Sequence, residues 1–567
     1  MTTTSGDLSN TPFHVGDWIV DPSTCQLEKD GDAVKIEPKV MQVLVYLAEH
    51  SGQVVGREEL EAAVWSGLVV GYDAVSGSII KLRRALGDDS RKPQFIQTIS
   101  KKGYRLIAPV TGTPVTATTG QAESSSSAPS PSQAVLSKPG IRFAGIVVAL
   151  ALILAITAWL LAPKFGSGTA DDVKPSVIVL PFKNISNSNG QEYISEGLTD
   201  DLITDLSRVT SLRVIARQSS YYYQGTGVKP TEVQKQLGVN YIIVGSVRKS
   251  GDHMRINVQL TDTKRMQSVW AKRFDIKNNE VLAVQDRITK EVVSAMLGDP
   301  AGTYSNYRGS RGTRSFEAYD AFLLGQQYIK TRSKLGYTQT MNAYRRAIQL
   351  DPSFGRAYGA MAVTLTRGYR YQWSDLSLVE ARERALELAR KAVELDNTNP
   401  EIYWSMAYVR LHRREYDEAE KAVRKSIELS TNFADGYALL ANIANWRGKP
   451  DEAITDIQEA MKLNPYYVFE YPSTLGLAYF LKGQYKDAVT TLDDALNRNE
   501  SALNPRLFLA ATYIRMNKKD DAKWEIEQIE NYHPETSLSN LSTTLPFEKE
   551  DTLQTLQTDL RSAGLKG

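Results

Sequence analysis

The chain has 567 residues, 42% of them hydrophobic and 23% charged, with 67 Lys plus Arg against 65 Asp plus Glu. At roughly 150 residues per domain this length predicts about three or four domains, and a net charge of +2 excludes a uniformly basic nucleic-acid coat and a disordered acidic chain. A single cysteine, Cys25, precludes an intrachain disulfide, and five scattered histidines lack metal-ligand spacing, so no metal or cofactor site is expected.

The first elements are a segment rich in strand and turn signals, a helix with Val40, Met41, Leu44 and Leu47 on one face, and a short helix from Glu58 to Trp65. A third helix follows over Asp73 to Leu86: Asp73 caps its start, Val75, Ile79, Leu82 and Leu86 form a buried stripe, and Gly87 stops it. Gly77, Lys81 and Arg84 are left on its outer face, with Ser76, Ile80 and Arg83 alongside. Phe95 to Ser100 and Tyr104 to Ala108 then read as strands around a basic tip, Lys101-Lys102-Gly103. Between Lys81 and Arg105 there are eight basic and two acidic residues. On charge alone a solvated face and a DNA-binding face are equal readings. Cations that meet phosphates or guanine edges, beside an apolar group that meets a thymine methyl, suit a major groove.

Three helices followed by a hairpin is the order of a winged helix. The chain from Phe13 to Val110 resembles the OmpR-type winged-helix DNA-binding domain in Phe13-x-x-Gly16-x-Trp18, Asp21-Pro22, Leu27, Gly31, Pro38-Lys39, Gly52-x-Val54-Val55 and Arg57-Glu58-Glu59-Leu60. The likeness continues through Trp65, Leu82-Arg83-Arg84-Ala85-Leu86-Gly87-Asp88, Phe95-Ile96-x-Thr98 and Gly103-Tyr104-Arg105. It implies that Asp73 to Leu86 is the recognition helix, that Arg57 to Trp65 supports it, that the loop Ser66 to Tyr72 contacts RNA polymerase, and that Lys101 to Arg105 is a wing touching the minor groove. The expected DNA-binding residues are Ser76, Ile80, Lys81, Arg83, Arg84, Lys101, Lys102, Tyr104 and Arg105. Gly77 and Ile80 depart from the family's usual pattern, so its base preference does not carry over.

Residues 111 to 138, rich in Ser, Thr, Pro and Gly, read as a flexible tether. From Phe143 to Ala162 run 20 residues without a charge, about 30 Å of helix and enough to span a bilayer. Lys138, Arg142, Trp159 and Lys164 sit where interface anchors belong. Basic residues are balanced across this segment, so orientation follows from the flanking domains. Only 12 residues precede Phe13, so no receiver domain is expected in front of the winged helix. A winged helix, a tether and one membrane helix resemble the CadC and ToxR class of one-component membrane-bound regulators. That resemblance implies a cytoplasmic N-terminal domain and a periplasmic C-terminal region, anchored in a bacterial inner membrane, with a homodimer on DNA.

Pro175 to Phe182 is a continuous apolar run, the mark of a strand buried on both faces. A helix from about Gln191 to Val209, a strand at Leu212, a short helix TEVQKQLG, a hairpin turning at Ser250-Gly251-Asp252, a strand QSVWAKRFD and a closing helix from Glu280 to Leu297 complete an α/β sandwich over residues 173–298. VLPF, EGLTDDLI and YIIVGSVR resemble the TolB N-terminal-like domain. Asp200, Asp201 and Asp205 read as a solvated helix face, Gly225-Thr226-Gly227 as a turn, and Tyr221 to Tyr223 as structural tyrosines. No catalytic residue is expected.

From about Tyr319 the chain is helical and periodic: Ala419, Ala453, Ala488 and Ala522 recur at steps of 34, 35 and 34 residues, each opening a small and apolar pattern. Leu475-Gly476-x2-Tyr479 returns as Leu509-Ala510-x2-Tyr513. This period resembles tetratricopeptide repeats, which implies a solenoid over residues 316–533 whose concave surface takes a protein or peptide. Residues 369 to 380 read as an insertion and 534–567 as a C-terminal tail. The fold class expected is therefore multidomain α/β and all-α: winged helix (12–110), transmembrane helix (143–162), α/β sandwich and tetratricopeptide-repeat solenoid. The function expected is a membrane-anchored, non-enzymatic transcriptional regulator binding double-stranded promoter DNA. An envelope scaffold acting through its repeats is the alternative.

Overall fold

The computed structural model describes residues 8, 11–65, 73–88, 92–99, 102–112, 174–186, 192–225, 228–298, 312–331 and 333–567. The loop Ser66 to Tyr72, Lys101, the tether beyond residue 112 and the segment 143–162 lie outside the described residues. Among the described residues no helix is long and apolar enough to cross a membrane.

The N-terminal domain begins as a meander of four antiparallel strands, β1 (Phe13–Val15), β2 (Trp18–Asp21), β3 (Gln26–Lys29) and β4 (Asp32–Lys35). Lys29 pairs with Asp32 across a two-residue turn in which Asp30 and Gly31 both have positive φ (54° and 87°), the turn that matches strand twist in a tight hairpin. Three helices follow: α1 (Pro38–Glu49), with proline in its first turn, α2 (Arg57–Trp65) and α3 (Asp73–Leu86). The hairpin β5 (Ile96–Ile99) and β6 (Gly103–Leu106) comes next, and β7 (Val110–Gly112) returns to pair with β1. No turn or alternation signal marks β7, a three-residue strand. The domain is a winged helix with its own core, drawn only from residues between Leu8 and Val110. Val75, Ile79 and Leu82 are fully buried and Leu86 nearly so, as the helical period required. Each such side chain contributes roughly 1.5–3 kcal/mol by leaving water.

Beyond residue 174 lies a six-stranded mixed sheet, β8 (Ser176–Val179), β9 (Lys183–Asn184), β10 (Arg213–Val214), β11 (Tyr241–Ser250), β12 (His253–Asp262) and β13 (Gln267–Lys277). β8 runs parallel to β10 and β11, while β11, β12 and β13 form an antiparallel meander. The helices α4 (Glu192–Ser207), α5 (Arg217–Tyr221), α6 (Pro230–Leu237) and α7 (Val281–Leu297) complete the domain. The reading of Asp201 and Asp205 as solvated is corrected: both are 1% exposed. Asp201 accepts from Arg356 Nη1 at 2.9 Å and Tyr319 Oη at 2.6 Å, so α4 is the face that docks on the repeats.

Among the described residues, six helix pairs make the repeat array. They are α8 (Phe316–Tyr328) with α9 (Lys334–Leu350), α10 (Gly355–Arg370) with α11 (Leu378–Leu395), α12 (Pro400–His412) with α13 (Tyr416–Leu429), and α14 (Ala434–Trp446) with α15 (Pro450–Leu463). The last two are α16 (Glu470–Leu481) with α17 (Tyr485–Arg498) and α18 (Leu503–Arg515) with α19 (Lys519–Tyr532). Ala419, Ala453, Ala488 and Ala522 are fully buried, which is why the period demands small residues there. Helix α10 continues to Arg370, so the insertion shortens to the stretch between Arg370 and Leu378.

The C-terminal residues are not a tail. After a short helix, α20 (Leu541–Thr544), the helix α21 (Glu550–Ala563) buries Leu553, Leu556 and Leu560 against the array, and Arg515 pairs with Asp559 at 2.8 Å. The segment before it folds back as far as the third and fourth pairs. Phe547 meets Trp446 edge-on with centroids 4.7 Å apart, and Tyr416 Oη donates to the Pro546 carbonyl.

Candidate nucleic-acid interface

The winged helix orients α3 by two side chains that a charge count places on the surface. Arg83 is 5% exposed: Nη2 donates to the Ile96 carbonyl at 3.0 Å and to Thr98 Oγ1 at 2.8 Å, tying the helix to the first strand of the wing. Asp88, just past the helix, accepts from the backbone N–H groups of Gln94, Phe95 and Ile96. The expectation that Arg83 faces DNA is corrected, because its guanidinium satisfies a buried carbonyl instead. The Leu-Gly-Asp sequence after the helix carried the signal for Asp88, which sequence reasoning missed.

The wing is fixed at its other strand. Tyr104 exchanges two backbone hydrogen bonds with Val55, at 2.8 and 3.0 Å, joining β6 to the segment before α2. Gly103 sits at φ 133°, where a Cβ would lie 2.0 Å from the Val55 carbonyl oxygen, so the approach admits only glycine. The Tyr104 ring is 3% exposed and packs in the core rather than projecting toward a groove.

The remaining cations lie outward. Arg84 and Lys102 are exposed. Lys81, also exposed, pairs with Glu37 at 2.7 Å, a surface ion pair worth about 0–1 kcal/mol that a phosphate readily replaces. Arg105 is partly buried and donates to Gln97 Oε1 at 2.6 Å across the hairpin. Ser76 and Ile80 occupy turns of α3 on either side of Gly77 and Ile79; their side chains are not among those described. The structure thus brings Lys81 and Arg84 onto one helix face, with Lys102 on the wing tip.

One further neighbour touches α3. Arg83 Nη1 pairs with Glu500 at 3.1 Å, both side chains under 10% exposed, at the end of the fifth repeat pair. Burial pushes the Tyr532 phenol up, with Glu500 and Tyr104 beside it.

This geometry defines a winged-helix DNA-binding domain. Residues 31–106 match the family "Transcriptional regulatory protein, C terminal", and residues 173–291 match "HilA/YgeH-like transcriptional regulator, second domain". The match of residues 31–106 to the first of these families agrees with the OmpR-type resemblance of the sequence. The chain is similar to Transcriptional activator CadC of Escherichia coli (strain K12), 41% identical over 97 residues, 17% of this chain and 19% of that protein. It is similar to Putative adenylate cyclase 3 of Rhizobium meliloti (strain 1021), 34% identical over 249 residues, 44% of this chain and 42% of that protein. Transcriptional regulator HilA of Salmonella paratyphi A is 21% identical over 416 residues, 72% of this chain and 63% of that protein. The chain therefore spans less than two thirds of the length of each of these relatives.

Proposed function

We propose that the protein is a promoter-binding transcriptional regulator whose winged helix reads DNA and whose α/β and repeat regions receive the signal. The observation that carries this reading is the inward stripe of α3 set against outward Lys81 and Arg84, beside a basic wing, on a domain with its own core. In this reading Lys81, Arg84, Lys102, Lys101 and Arg105 supply phosphate contacts and Ser76 and Ile80 face the bases. The loop Ser66 to Tyr72 meets RNA polymerase, and two protomers bind half-sites about one helical turn apart. The chain is anchored by residues 143–162, with the winged helix in the cytoplasm and the later domains beyond the inner membrane.

The test is binding of residues 1–112 to genomic fragments at near-physiological salt, with Arg84→Ala and Lys102→Ala as controls. Selective binding that the controls weaken is the expected result; binding without preference, or none, returns the protein to the scaffold reading. The scaffold reading is disfavoured by the C-terminal segment, which already occupies part of the array at Tyr416 and Trp446. A second arrangement, with all domains in one compartment, is favoured by one observation, the Arg83 to Glu500 pair.

A further inference from the structure

The first helices of the pairs pack on one another and form one wall of the array, and two stretches of this wall are covered. The α/β domain lies against their beginnings, where Arg356 meets Asp201, Arg208 donates to the Thr398 carbonyl, Asn432 donates to the Ser207 carbonyl and Asn464 accepts from Ser219. The C-terminal segment lies against the ends of α12 and α14, at Arg414 and Trp446.

At the end of α10, facing α12, three guanidiniums converge. Arg370 Nη1 donates to Tyr408 Oη at 3.0 Å, and Arg367 Cζ lies 5.7 Å from the centroid of the same ring. Arg382 of α11 stands 5.7 Å over the Tyr369 ring. His412, one turn beyond Tyr408, is 8% exposed. Its burial, with Arg370, Arg382 and Arg367 around it, holds its pKa well below the usual histidine value, so the ring adds no further charge. Burial pushes the Tyr408 phenol up, but Arg370 and Arg367 outweigh it and hold the phenol below its ordinary value.

Positive charges gathered on partly buried side chains need a counter-charge. Among the described residues none of the three arginines forms an ion pair with a carboxylate; Tyr408 is the strongest partner of Arg367 and Arg370, Glu470 influences Arg367 less, and Arg382 lies over the Tyr369 ring. The Nε atoms of Arg370 and Arg382 are buried without a hydrogen-bond partner. Arg367, Arg370, Arg382 and Tyr408 each keep part of their surface open to solvent, and Tyr371 at the rim is 55% exposed.

We propose that Arg367, Arg370 and Arg382 form a binding site for a ligand bearing an oxyanion, a phosphate or a carboxylate group, with Tyr408 as a further hydrogen-bond donor. Planar guanidiniums offer paired donors that match either oxyanion, and the partial burial of the three side chains strengthens the attraction over that in bulk water. The site concerns ligand binding alone and stands whether or not the N-terminal domain binds promoter DNA.

The experiment is calorimetric titration of the full-length protein with inorganic phosphate and, separately, with citrate, in chloride buffer of matched ionic strength. Saturable binding of at least one anion is expected, weakened about tenfold or more in Arg370→Gln and unchanged in Arg345→Gln, a surface arginine on α9 outside the cluster. Binding of phosphate alone assigns a phosphorylated ligand, and binding of citrate alone a carboxylated one. Tyr408→Phe keeps the ring and removes the hydroxyl, so it reports on the site even where Arg370→Gln fails to fold, and weaker binding is expected. The proposal is overturned if neither anion binds saturably, or if both variants bind as the parent does.

Discussion

The Arg83 guanidinium donates to the Ile96 carbonyl and the Thr98 hydroxyl, so truncating it strips a buried carbonyl of its donor. Arg83→Ala is expected to lower the stability of the N-terminal domain by about 1–3 kcal/mol in urea unfolding. Its neighbour Arg84 is exposed, and Arg84→Ala is expected to leave stability within about 0.5 kcal/mol. The same change weakens DNA binding and lowers the salt slope by about 1, read from affinities at several salt concentrations. If Arg84→Ala leaves that slope unaltered, the residue is not a phosphate contact. A second residue-scale expectation concerns Asp456 on α15, whose carboxyl is pushed up to about 6, chiefly by burial, with Glu452 and Glu420 adding to it against Arg424. An acid whose folded pKa is raised holds its proton longer in the folded chain. Its contribution to stability is present below about pH 4 and is lost as pH rises through about 6. Asp456→Asn is expected to flatten the stability profile between those limits, measured by urea midpoints across pH.

At the scale of elements, the wing depends on one backbone approach, and a buried ion pair is one of several contacts that hold the α/β domain on the repeats. Gly103→Ala drives a Cβ into the Val55 carbonyl and is expected to cost about 2 kcal/mol or more, read as loss of the wing's amide protection in hydrogen exchange. Arg356→Ala leaves Asp201 buried with Tyr319 as its remaining strong partner, a loss of roughly 3–5 kcal/mol that thermal unfolding of the full chain detects. These elements also show what the sequence makes legible. The stripe of Val75, Ile79, Leu82 and Leu86 and the alanines spaced 34 or 35 residues apart were readable because helical period and repeat period are local properties. The burial of Asp201 was not readable, because its partner Arg356 is 155 residues away. Residues 534–567 lack the repeat period and so read as a tail, although Phe547 finds its site on Trp446, about a hundred residues earlier. Arg83 was misplaced for a related reason: a basic residue next to a buried stripe reads as surface until the carbonyl it satisfies, Ile96, is brought beside it. The cluster of Arg367, Arg370 and Arg382 was likewise silent, since it needs α10, α11 and α12 packed together.

At the scale of the whole molecule two features compete. The Arg83 to Glu500 pair requires the winged helix and the repeats in one compartment. The 20-residue run from Phe143 to Ala162 favours separating them across a bilayer. Magnitudes decide between them. The run holds eleven Val, Leu, Ile and Phe residues, and at about 1.5–3 kcal/mol each their removal from water contributes roughly 15–35 kcal/mol. Separating the Arg83 to Glu500 pair and the adjoining Tyr104 to Tyr532 contact, whose polar groups regain hydration, costs roughly a few kcal/mol. The expected arrangement therefore has the repeats on the far side of the membrane from the winged helix. Alkaline phosphatase fused after Gly567 is expected to be active in cells, and a green fluorescent protein exported by the same route to be dark. Glu500→Ala is then expected to leave the affinity of the full-length protein for DNA unchanged. In the opposite arrangement the fluorescent fusion glows, and Glu500→Ala raises DNA affinity by freeing the flank of α3. The two readouts are independent, one on the C-terminus and one on the recognition helix, so agreement between them fixes which compartment the repeat array occupies.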